Sequence, residues 1–554
     1  MRGGRRPGRP LLDATLLAGL LAACDPGPPV EITILGTTDV HGHLVPYDYA
    51  TDQPIQNSLA QVATLVDSIR GVREHVVLID SGDLLQGTAL DERQARLEPD
   101  GPHPVIAAMN ALGYDASAIG NHEFNYGIPY LERVLAEAKF PFVAANIYRA
   151  GTDSLARTPF HMVERAGIRV GILGLTTPGV MLWDRENVAG RLRFEDVVVA
   201  AGRWIPVLRE RGADVVVVAA HAGLGPGSTY STDAGIPEEN ALLRLAEEIP
   251  GIDVIFAGHT RAAIGGRRVG GTLILHAGAH ADHLAVAELV VQRTRSGIEV
   301  SGTGRVIPTS GVPPDPELVE LVRGAHERTI DWLRQPIGTT PDRWSAELAR
   351  LEDAPIADLV TRVQRDLTGA DLSAAAVFRT DAGFGPGPIT RRDILGLYSY
   401  PNTLRAVRIS GDELRRYLEW SARYYRDVSA ESLLNDSVPG YNFDVIEGVD
   451  YSIDLTRPAG ARITRLEIAG RPVAPVDSFT IALNNYRQSG GGGFDMIVDA
   501  PVVYLDEVDI ASRIIEFVRR RDTLRVADVH VENWRIEPRS AVERLRAEAK
   551  GNGG

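Results

Sequence analysis

Four apolar runs in the first half of this 554-residue chain are each followed by side chains that bind metals or transfer protons. The runs have the length and β-branched composition of buried strands, and they are Ile32–Leu35, Val76–Ile79, Val215–Val218 and Val254–Phe256. The polar residues at the ends of these and one further predicted strand are Asp39, His41, Asp83, Asn121, His122, His221 and His259. Because open α/β sheets bind ligands beyond the carboxyl ends of their strands, these residues can meet in one crevice. The pattern therefore favours an α/β fold with a site at its strand ends.

The residue types in this series indicate a site for two divalent metal ions. Histidine, aspartate and asparagine, in a chain with a single cysteine, favour moderately hard ions. Asp39 and His41 are two residues apart and can reach one ion, while Asp83 offers two oxygens that can bridge a pair. Asn121 adds an amide oxygen next to the imidazole of His122. Any one of these histidines alone would be an ordinary surface residue, but the ordered series predicts a metal-dependent hydrolase.

Length and charge narrow the class of protein further. A chain of 554 residues is too long for one core and predicts two large domains. The net charge of −15 argues against nucleic-acid polymers and anionic membrane surfaces as partners. It leaves room for a small phosphate ester, because a metal pair reverses the local sign of charge. We expect a monomer acting on a small-molecule substrate.

The N-terminus has the layout of a secretory signal. The first ten residues carry four arginines, and the apolar run Leu16–Ala23 that follows is too short to span a bilayer. The segment Leu21-Ala22-Ala23-Cys24 resembles a bacterial lipobox, which implies cleavage before Cys24 and lipidation of its thiol. An ordinary cleaved signal or a misassigned start remains open, since Asp13 interrupts the apolar region. We predict a signal peptide over residues 1–24 and a location in the bacterial periplasm or cell envelope, with a lipid anchor as the only membrane contact.

Hydrophobic periodicity divides the rest of the chain. Apolar strands alternate with helical stretches over residues 30–312, which predicts sheets covered on both faces. After a proline-rich break, residues 316–336 show helical spacing and would connect the domains. Residues 337–538 mix amphipathic helices with strands and predict a second, substrate-binding domain. Residues 539–554 are charged and end in glycine, which predicts a flexible tail.

The strand-end motifs resemble the calcineurin-like metallophosphoesterases, and more closely the 5′-nucleotidase superfamily. The matching segments are Gly36–Gly42, Asp80–Asp83, Gly120–Glu123, Ala220–Gly223 and Ala257–His259. The resemblance implies a four-layer α/β/β/α catalytic sandwich followed by an α+β nucleotide-specificity domain.

The resemblance also implies roles for individual residues. One ion would be bound by Asp39 and His41, a bridge would come from Asp83, and the other ion would be held by Asn121, His221 and His259. Two ions, for which Mn, Zn, Co and Ca are candidates, would generate a hydroxide and hold both oxygens of an in-line displacement. His122 would stabilise the transition state or protonate the leaving alkoxide.

One position departs from the family pattern. The family usually has a second ligand, commonly His or Gln, two residues after the equivalent of His259, and here that residue is Arg261. A guanidinium has no lone pair to give to a metal. The first ion could keep its other ligands and water, or His276 or His280 could substitute. Alternatively, Arg261 contacts the phosphate and the first metal site is weak.

The second half extends the resemblance to a nucleotide-binding domain. Its matching segments are Tyr400–Leu404, Tyr441–Val449 and Asn484–Arg487 followed by Gly490–Gly493. They are most similar to the branch with 2′,3′-cyclic-nucleotide 2′-phosphodiesterase and 3′-nucleotidase activity. Asn125, where 5′-nucleotidases often have Asp, and Ser373–Phe378, in place of their glycine-rich segment, favour the same branch.

The resemblance predicts an enzyme that opens 2′,3′-cyclic nucleotides to 3′-nucleotides and then releases phosphate. Tyr441 and Tyr486 would hold the base between them, with Phe443 and Phe494 as the alternative stacking pair. Two other functions stay open at this point. One is a 5′-nucleotidase or nucleotide-sugar hydrolase, and the other is a nucleotide-binding lipoprotein whose catalysis is impaired by Arg261.

Overall fold

The computed structural model describes Met1 and residues 28–225, 228, 235–295, 297–400 and 402–551. Apart from Met1, the predicted signal peptide, with its lipobox and Cys24, lies outside the described residues. No helix in the described part of the chain combines the length and apolar character that a membrane crossing requires.

Two six-stranded sheets form the centre of the first domain. Its strands are β1 (Val30–Thr37), β2 (Tyr47–Asp48), β3 (Gln53–Pro54), β4 (Val76–Asp80), β5 (Ala116–Ala118), β6 (Phe142–Val143), β7 (Ile147–Arg149), β8 (Phe160–Arg165), β9 (Ile168–Thr176), β10 (Leu192–Phe194), β11 (Val215–His221), β12 (Val254–Ala257), β13 (Ala263–Val269), β14 (Thr272–Ala277), β15 (His283–Thr294) and β16 (Gly297–Pro308). The first sheet has the order β16-β15-β1-β4-β5-β6 and the second the order β13-β14-β12-β11-β9-β8. Strands β1, β4, β5 and β6 are parallel to one another, as are β14, β12, β11 and β9.

Helices cover the outer faces of both sheets. They are α1 (Leu59–Arg70), α2 (Ala89–Leu97), α3 (Pro104–Leu112), α4 (Ile128–Leu135), α5 (Val180–Trp183), α6 (Arg185–Val188), α7 (Val197–Glu210), α8 (Leu242–Glu248) and α9 (Pro316–Leu333). On β1, Ile32 and Ile34 pack between the sheets, whereas Leu35 packs against the outer helices. Both faces of the strand are therefore buried, which explains its continuous apolar run. Helices α1, α3 and α9 contribute to the outer core of the first sheet and α7 and α8 to that of the second, which confirms the four-layer α/β/β/α arrangement.

The second domain has its own hydrophobic core. Its strands are β17 (Pro336–Thr340), β18 (Trp344–Ser345), β19 (Leu372–Ala376), β20 (Gly383–Phe384), β21 (Gly387–Thr390), β22 (Thr403–Ser410), β23 (Asp444–Glu447), β24 (Asp450–Asp454), β25 (Ile463–Ile468), β26 (Arg471–Pro472), β27 (Ser478–Asn484), β28 (Val502–Asp509) and β29 (Trp534–Glu537). Its helices are α10 (Pro355–Thr368), α11 (Arg391–Leu397), α12 (Gly411–Ser421), α13 (Asn485–Gln488), α14 (Ile510–Arg521) and α15 (Arg539–Gly551). A five-stranded sheet, β23-β19-β27-β22-β28, and a four-stranded sheet, β26-β25-β24-β29, share one core with α10, α12 and α14. The domain is α+β, as predicted.

Helix α9 corresponds to the connecting helix predicted over residues 316–336. Asp315 caps it by accepting a hydrogen bond from the backbone N–H of Leu318 at 2.7 Å. Leu318, Val322 and Trp332 pack into the outer core of the first domain. The helix is therefore part of the first domain's outer layer rather than a free linker.

The prediction of a flexible C-terminal tail is wrong for residues 539–551, which form α15. Ala541 and Leu545 are four residues apart, so they share one helix face, and both are buried in the core of the second domain. Arg544 donates to the backbone carbonyl oxygens of Val428 and Ala430, each at 2.8 Å. These contacts outweigh the charged composition that predicted fraying.

Candidate active site

A cleft of about 1010 Å³ lies between the two domains. Ion pairs join the domains beside it, including Arg96–Asp509 at 2.6 Å and Asp52–Arg392. The residues singled out from the sequence that line the cleft are Asp83, Asn121, His122, Asn125, His259, Arg261, Tyr441 and Tyr486. The cleft therefore brings residues of both halves of the chain to one space.

Loops at the ends of the parallel strands carry the metal-binding candidates. Asp39, His41, Asp83 and His259 have positive φ angles of 50°, 48°, 63° and 72°, a conformation that is uncommon for residues other than glycine. The loops support one another, since the N–H of Asp39 donates to the carbonyl of Gly82 and that of His41 to the carbonyl of Asp83, each at 2.9 Å. Backbone strain of this kind persists only where the surrounding structure imposes it.

Asp39, His41 and Asp83 form the first donor group. One ligand atom of each lies within 4.8 Å of the others, and all three residues are buried. The Nε2 of His41 is 3.8 Å from Asp39 Oδ1 and 3.7 Å from Asp83 Oδ2. Among the described residues, the buried Oδ1 of Asp39 accepts no hydrogen bond. A buried carboxylate oxygen is expected to have a partner, so this donor set fits a divalent cation.

Asn121, His221 and His259 form the second donor group, with Asp83 between the two. His221 Nε2 lies 3.1 Å from Asp83 Oδ2 and 3.1 Å from Asn121 Oδ1. His259 Nδ1 is 3.1 Å from the same Asn121 oxygen. The position of Asp83 next to both groups is the one that a bridging carboxylate needs.

Outer contacts fix the tautomer of each candidate histidine. His41 and His221 donate from Nδ1 to backbone carbonyl oxygens at 2.6 and 2.9 Å, and His259 donates from Nε2 to Glu239 Oε1 at 2.7 Å. A ring nitrogen that donates outward leaves the opposite nitrogen with a lone pair for a metal. Each opposite nitrogen points into its donor group, where a metal ion would bind in place of a proton.

The charges of the site favour a bound cation. Burial acts to raise the pKa of Asp83, but His221, His122 and His41 outweigh it and hold that pKa well below its usual value. Burial lowers the pKa of His221, but the Asp83 and Asp39 carboxylates outweigh it and raise the pKa to about 10. A pocket that holds a proton this strongly on a buried imidazole attracts positive charge in general.

His122 lies at the edge of both donor groups and faces the cleft. Its backbone N–H donates to Asp83 Oδ1 at 2.8 Å, and its Nδ1 is 2.7 Å from Asn125 Oδ1. Asn125 in turn donates from Nδ2 to Asp184 Oδ1 at 2.9 Å. The amide of Asn125 is thereby oriented to accept from His122. Burial, with His41 and Arg261 beside it, lowers the pKa of His122 to about 4.

Arg261 lies beside the first donor group. Its Nη2 is 3.0 Å from His41 Nε2 and its Nε is 3.9 Å from Asp39 Oδ1. In the described part of the chain, the first donor group includes neither of the predicted substitutes, His276 or His280. His276 is buried and accepts the N–H of Gly278 at 3.2 Å, while the ring of His280 stacks on that of His43 with centroids 4.4 Å apart.

The second domain contributes two tyrosines to the cleft. Tyr441 is 42% exposed and Tyr486 is half-buried. A Cβ built on Gly491 would lie 2.6 Å from three ring carbons of Tyr486, so the glycine run packs flat against one face of that ring. Phe443 and Phe494, the alternative stacking pair, are 2% and 0% exposed and belong to the domain core. The alternative pair is therefore wrong, because neither ring reaches the cleft.

Several residues of the site carry no signal in the sequence. Glu239 and Asp184 are acidic residues in loops, and only their contacts with His259 and Asn125 give them a role. Trp183 stacks on His259 with ring centroids 5.3 Å apart. None of them belongs to a periodic pattern or to the motifs above, so the folded contacts alone identify them.

The fold and the donor groups together define a two-domain metallophosphoesterase. Residues 32–261 match the family model of calcineurin-like phosphoesterases, and residues 336–499 match that of the 5′-nucleotidase C-terminal domain. The chain belongs to the 5′-nucleotidase superfamily of calcineurin-like phosphoesterases, which use divalent metals, and it is a phosphoric ester hydrolase.

Named relatives cover nearly the whole chain. It is 32% identical to a 2′,3′-cyclic-nucleotide 2′-phosphodiesterase/3′-nucleotidase of Salmonella typhimurium, over 95% of this chain and 92% of the relative. It is 34% identical to a protein of the same name from Yersinia enterocolitica, over 87% and 84%. Among solved structures, a Staphylococcus aureus protein assigned as a 5′-nucleotidase superposes with a TM-score of 0.80 and 27% identity, covering 92% of this chain and all of the other.

Proposed function

We propose that this enzyme hydrolyses 2′,3′-cyclic nucleotides to 3′-nucleotides and then to nucleoside and phosphate. The observation that carries the proposal is that one cleft is lined by Tyr441 and Tyr486 from the second domain and by His122, Asn121 and His259 from the first. The names of the relatives that span most of the chain support the same substrates. A base on the tyrosines and a phosphate at the donor groups would fit one bound nucleotide.

The tyrosines would recognise the flat faces of the base. Stacking on an aromatic ring contributes about 1–3 kcal/mol per base and depends little on which base is present. The buried guanidinium of Arg487 links both walls of this site, since it donates to the backbone carbonyls of Tyr441 at 2.5 Å and Gly491 at 3.1 Å. We infer that stacking on the two rings tolerates different bases, and that any preference among bases comes from the asparagines that also line the cleft, Asn402 and Asn485.

The donor groups would hold the metals and the phosphate. Asp39 and His41 would hold one divalent ion, and Asn121, His221 and His259 a second, with Asp83 next to both groups; bound ions would supply positive charge for the phosphate oxygens and lower the pKa of a bound water. Among the candidate ions, the imidazole donors favour Zn and Co, while the carboxylate and amide oxygens suit Mn and Ca.

His122 would protonate the leaving group. Its Nδ1 is occupied by Asn125, so Nε2 is the atom that can bond to substrate. An anionic phosphate nearby raises the pKa of an imidazole, and His122 would then carry the proton that the leaving alkoxide needs. Asn125 orients this ring without adding charge.

A substrate panel tests the proposal. Phosphate release from 2′,3′-cyclic AMP, 3′-AMP and 5′-AMP is compared, with His122→Asn as a matched control for background activity. We expect turnover of the first two substrates to dominate. Dominant 5′-AMP hydrolysis would instead support a 5′-nucleotidase or nucleotide-sugar hydrolase, and nucleotide binding without metal-stimulated turnover would support an impaired binding protein.

We also propose that the enzyme is anchored in the cell envelope through Cys24. The arginine-rich start, the short apolar run and the Leu21-Ala22-Ala23-Cys24 segment support this location. Metabolic labelling with a fatty acid should mark the wild-type protein, and Cys24→Ser should abolish the label and release the enzyme from membranes. Unlabelled, soluble wild-type protein would contradict the anchor.

A further inference from the structure

Arg261 uses the lone pair that the first metal ion would need. His41 donates from Nδ1 to a backbone carbonyl, so its Nε2 is the nitrogen with the free electron pair. Arg261 Nη2 lies 3.0 Å from this Nε2 and donates a hydrogen bond to it. A hydrogen bond and a metal bond to the same lone pair exclude each other.

The charge of Arg261 also substitutes for that of an ion. Its Nε lies 3.9 Å from Asp39 Oδ1, the buried oxygen that accepts no hydrogen bond among the described residues. A guanidinium stays protonated in proteins, so its charge cannot be removed to admit a cation. An ion bound to Asp39 and His41 would therefore be repelled by Arg261 unless the side chain moved away.

The second donor group has the opposite surroundings. The carboxylate of Glu239 is 2.7 Å from His259 Nε2 and strengthens that imidazole as a ligand. Arg261 thus places a positive charge beside the first donor group, and Glu239 places a negative charge beside the second. Asp83 contributes to both, so the two positions differ in the number of their remaining ligands and in the opposite charges of Arg261 and Glu239.

The Arg261 side chain has space to move away from His41 and Asp39. Its side chain is 40% exposed, and it lines both the large cleft and a second cavity of about 330 Å³. The second cavity is lined by the acidic residues Asp48, Glu92 and Asp509 and also by Arg379 and Arg392. The guanidinium can therefore move aside without repacking the core.

We propose that Arg261 is a built-in competitor for the first metal position, so that the enzyme holds one ion tightly and a second one weakly. The tight ion is bound by Asp83, Asn121, His221 and His259. The second ion binds Asp39 and His41 only when Arg261 is displaced. The inference rests on the metal requirement in the proposed function but not on the choice of nucleotide.

Metal titration of the full mature chain tests this inference without relying on turnover. Metal-stripped protein is titrated with Mn²⁺ by calorimetry, and bound Mn²⁺ is counted by electron paramagnetic resonance. We expect two dissociation constants at least about tenfold apart in the wild type. Arg261→Met removes the competitor without adding a ligand and should tighten only the weaker one, while Arg261→His should tighten it further.

Arg267→Met, an exposed arginine on β13, is the matched control and should change neither constant. Equal affinities for two ions in the wild type, or an unchanged second constant in Arg261→Met that still binds the first ion normally, would overturn the inference. Retention of the first constant shows that a variant is folded. The substrate panel above is independent, so a 5′-nucleotide preference would refute the proposed substrates and leave this inference standing.

Discussion

Arg487 donates from Nη2 to the backbone carbonyl oxygen of Tyr441 at 2.5 Å. The same guanidinium makes a two-pronged ion pair with Asp444, with Nε and Nη2 each 2.9 Å from a carboxylate oxygen. Both partners are nearly inaccessible to solvent. One buried ion pair therefore fixes the segment around Tyr441 and helix α13, which carry the two tyrosines proposed to stack on the base.

Replacing Arg487 should weaken both the fold and substrate binding. Arg487→Met leaves Asp444 buried without its partner, and breaking a buried pair in this way costs about 3–5 kcal/mol. Urea unfolding measures the loss, and a rise in KM larger than the fall in kcat would show that the base site has moved. Arg513→Met, which breaks a more exposed pair with Asp506, should cost about 0–1 kcal/mol and leave KM unchanged. Equal losses in the two variants would contradict this role.

Removing a stacking ring should affect nucleotides selectively. Tyr441→Ala and Tyr486→Ala should each raise KM for 3′-AMP by about 5- to 150-fold, the equivalent of about 1–3 kcal/mol of stacking. The corresponding Phe variants keep the ring and should stay close to wild type. Hydrolysis of p-nitrophenyl phosphate, which has no base, is the internal control. If it falls as much as 3′-AMP hydrolysis, the tyrosines do not bind the base.

Glu239 should determine the affinity of the tighter metal position. It holds His259 through Nε2 at 2.7 Å, and removing such an outer partner typically weakens metal affinity by about 10- to 100-fold. Calorimetric titration of Glu239→Gln with Mn²⁺ should show this loss in the first dissociation constant. Glu238→Gln, next to it in sequence and paired with Arg244, is the control and should bind as the wild type does. Similar constants for the two variants would refute the assignment.

Asp91 should make stability fall as the pH rises. Burial raises the pKa of Asp91 to about 7 from 3.8, so the folded chain holds a proton that the unfolded chain has lost. Its contribution is full below about pH 4 and is lost as pH rises through 7, with a slope of up to about 1.4 kcal/mol per unit. Asp91→Asn lacks this titration, so the difference in unfolding free energy between wild type and variant, measured in urea from pH 4 to 8, should fall as the pH rises. A constant difference over that range would rule the effect out.

The convergence of the metal donors could be predicted because it follows from topology. Asp39 and Asp83 follow the parallel strands β1 and β4, whose carboxyl ends lie at one edge of a sheet. No further information is needed to expect them near each other. Glu239, in contrast, acquires its role only through tertiary contact with His259, and nothing local marks it.

The base site shows where sequence reasoning becomes ambiguous. Tyr441 and Phe443 are two residues apart and chemically similar, yet one is 42% exposed and the other 2%. Which ring turns outward is decided by the packing of Phe443 against Tyr424 and Trp534, which are distant in sequence. In α15 the charged composition predicts fraying, but Ala541 and Leu545, four residues apart, pack on one helix face into the core.

The cleft is shared by two domains that each pack around their own core. Under the proposed function, bond cleavage and nucleotide recognition thus belong to separate domains of one polypeptide. If the tyrosines bind the base, substitutions around Tyr441 and Tyr486 would alter nucleotide preference without changing the metal-binding candidates of the first domain. In such a chain the sequence of the catalytic domain can stay constant while the sequence of the nucleotide-recognition domain changes.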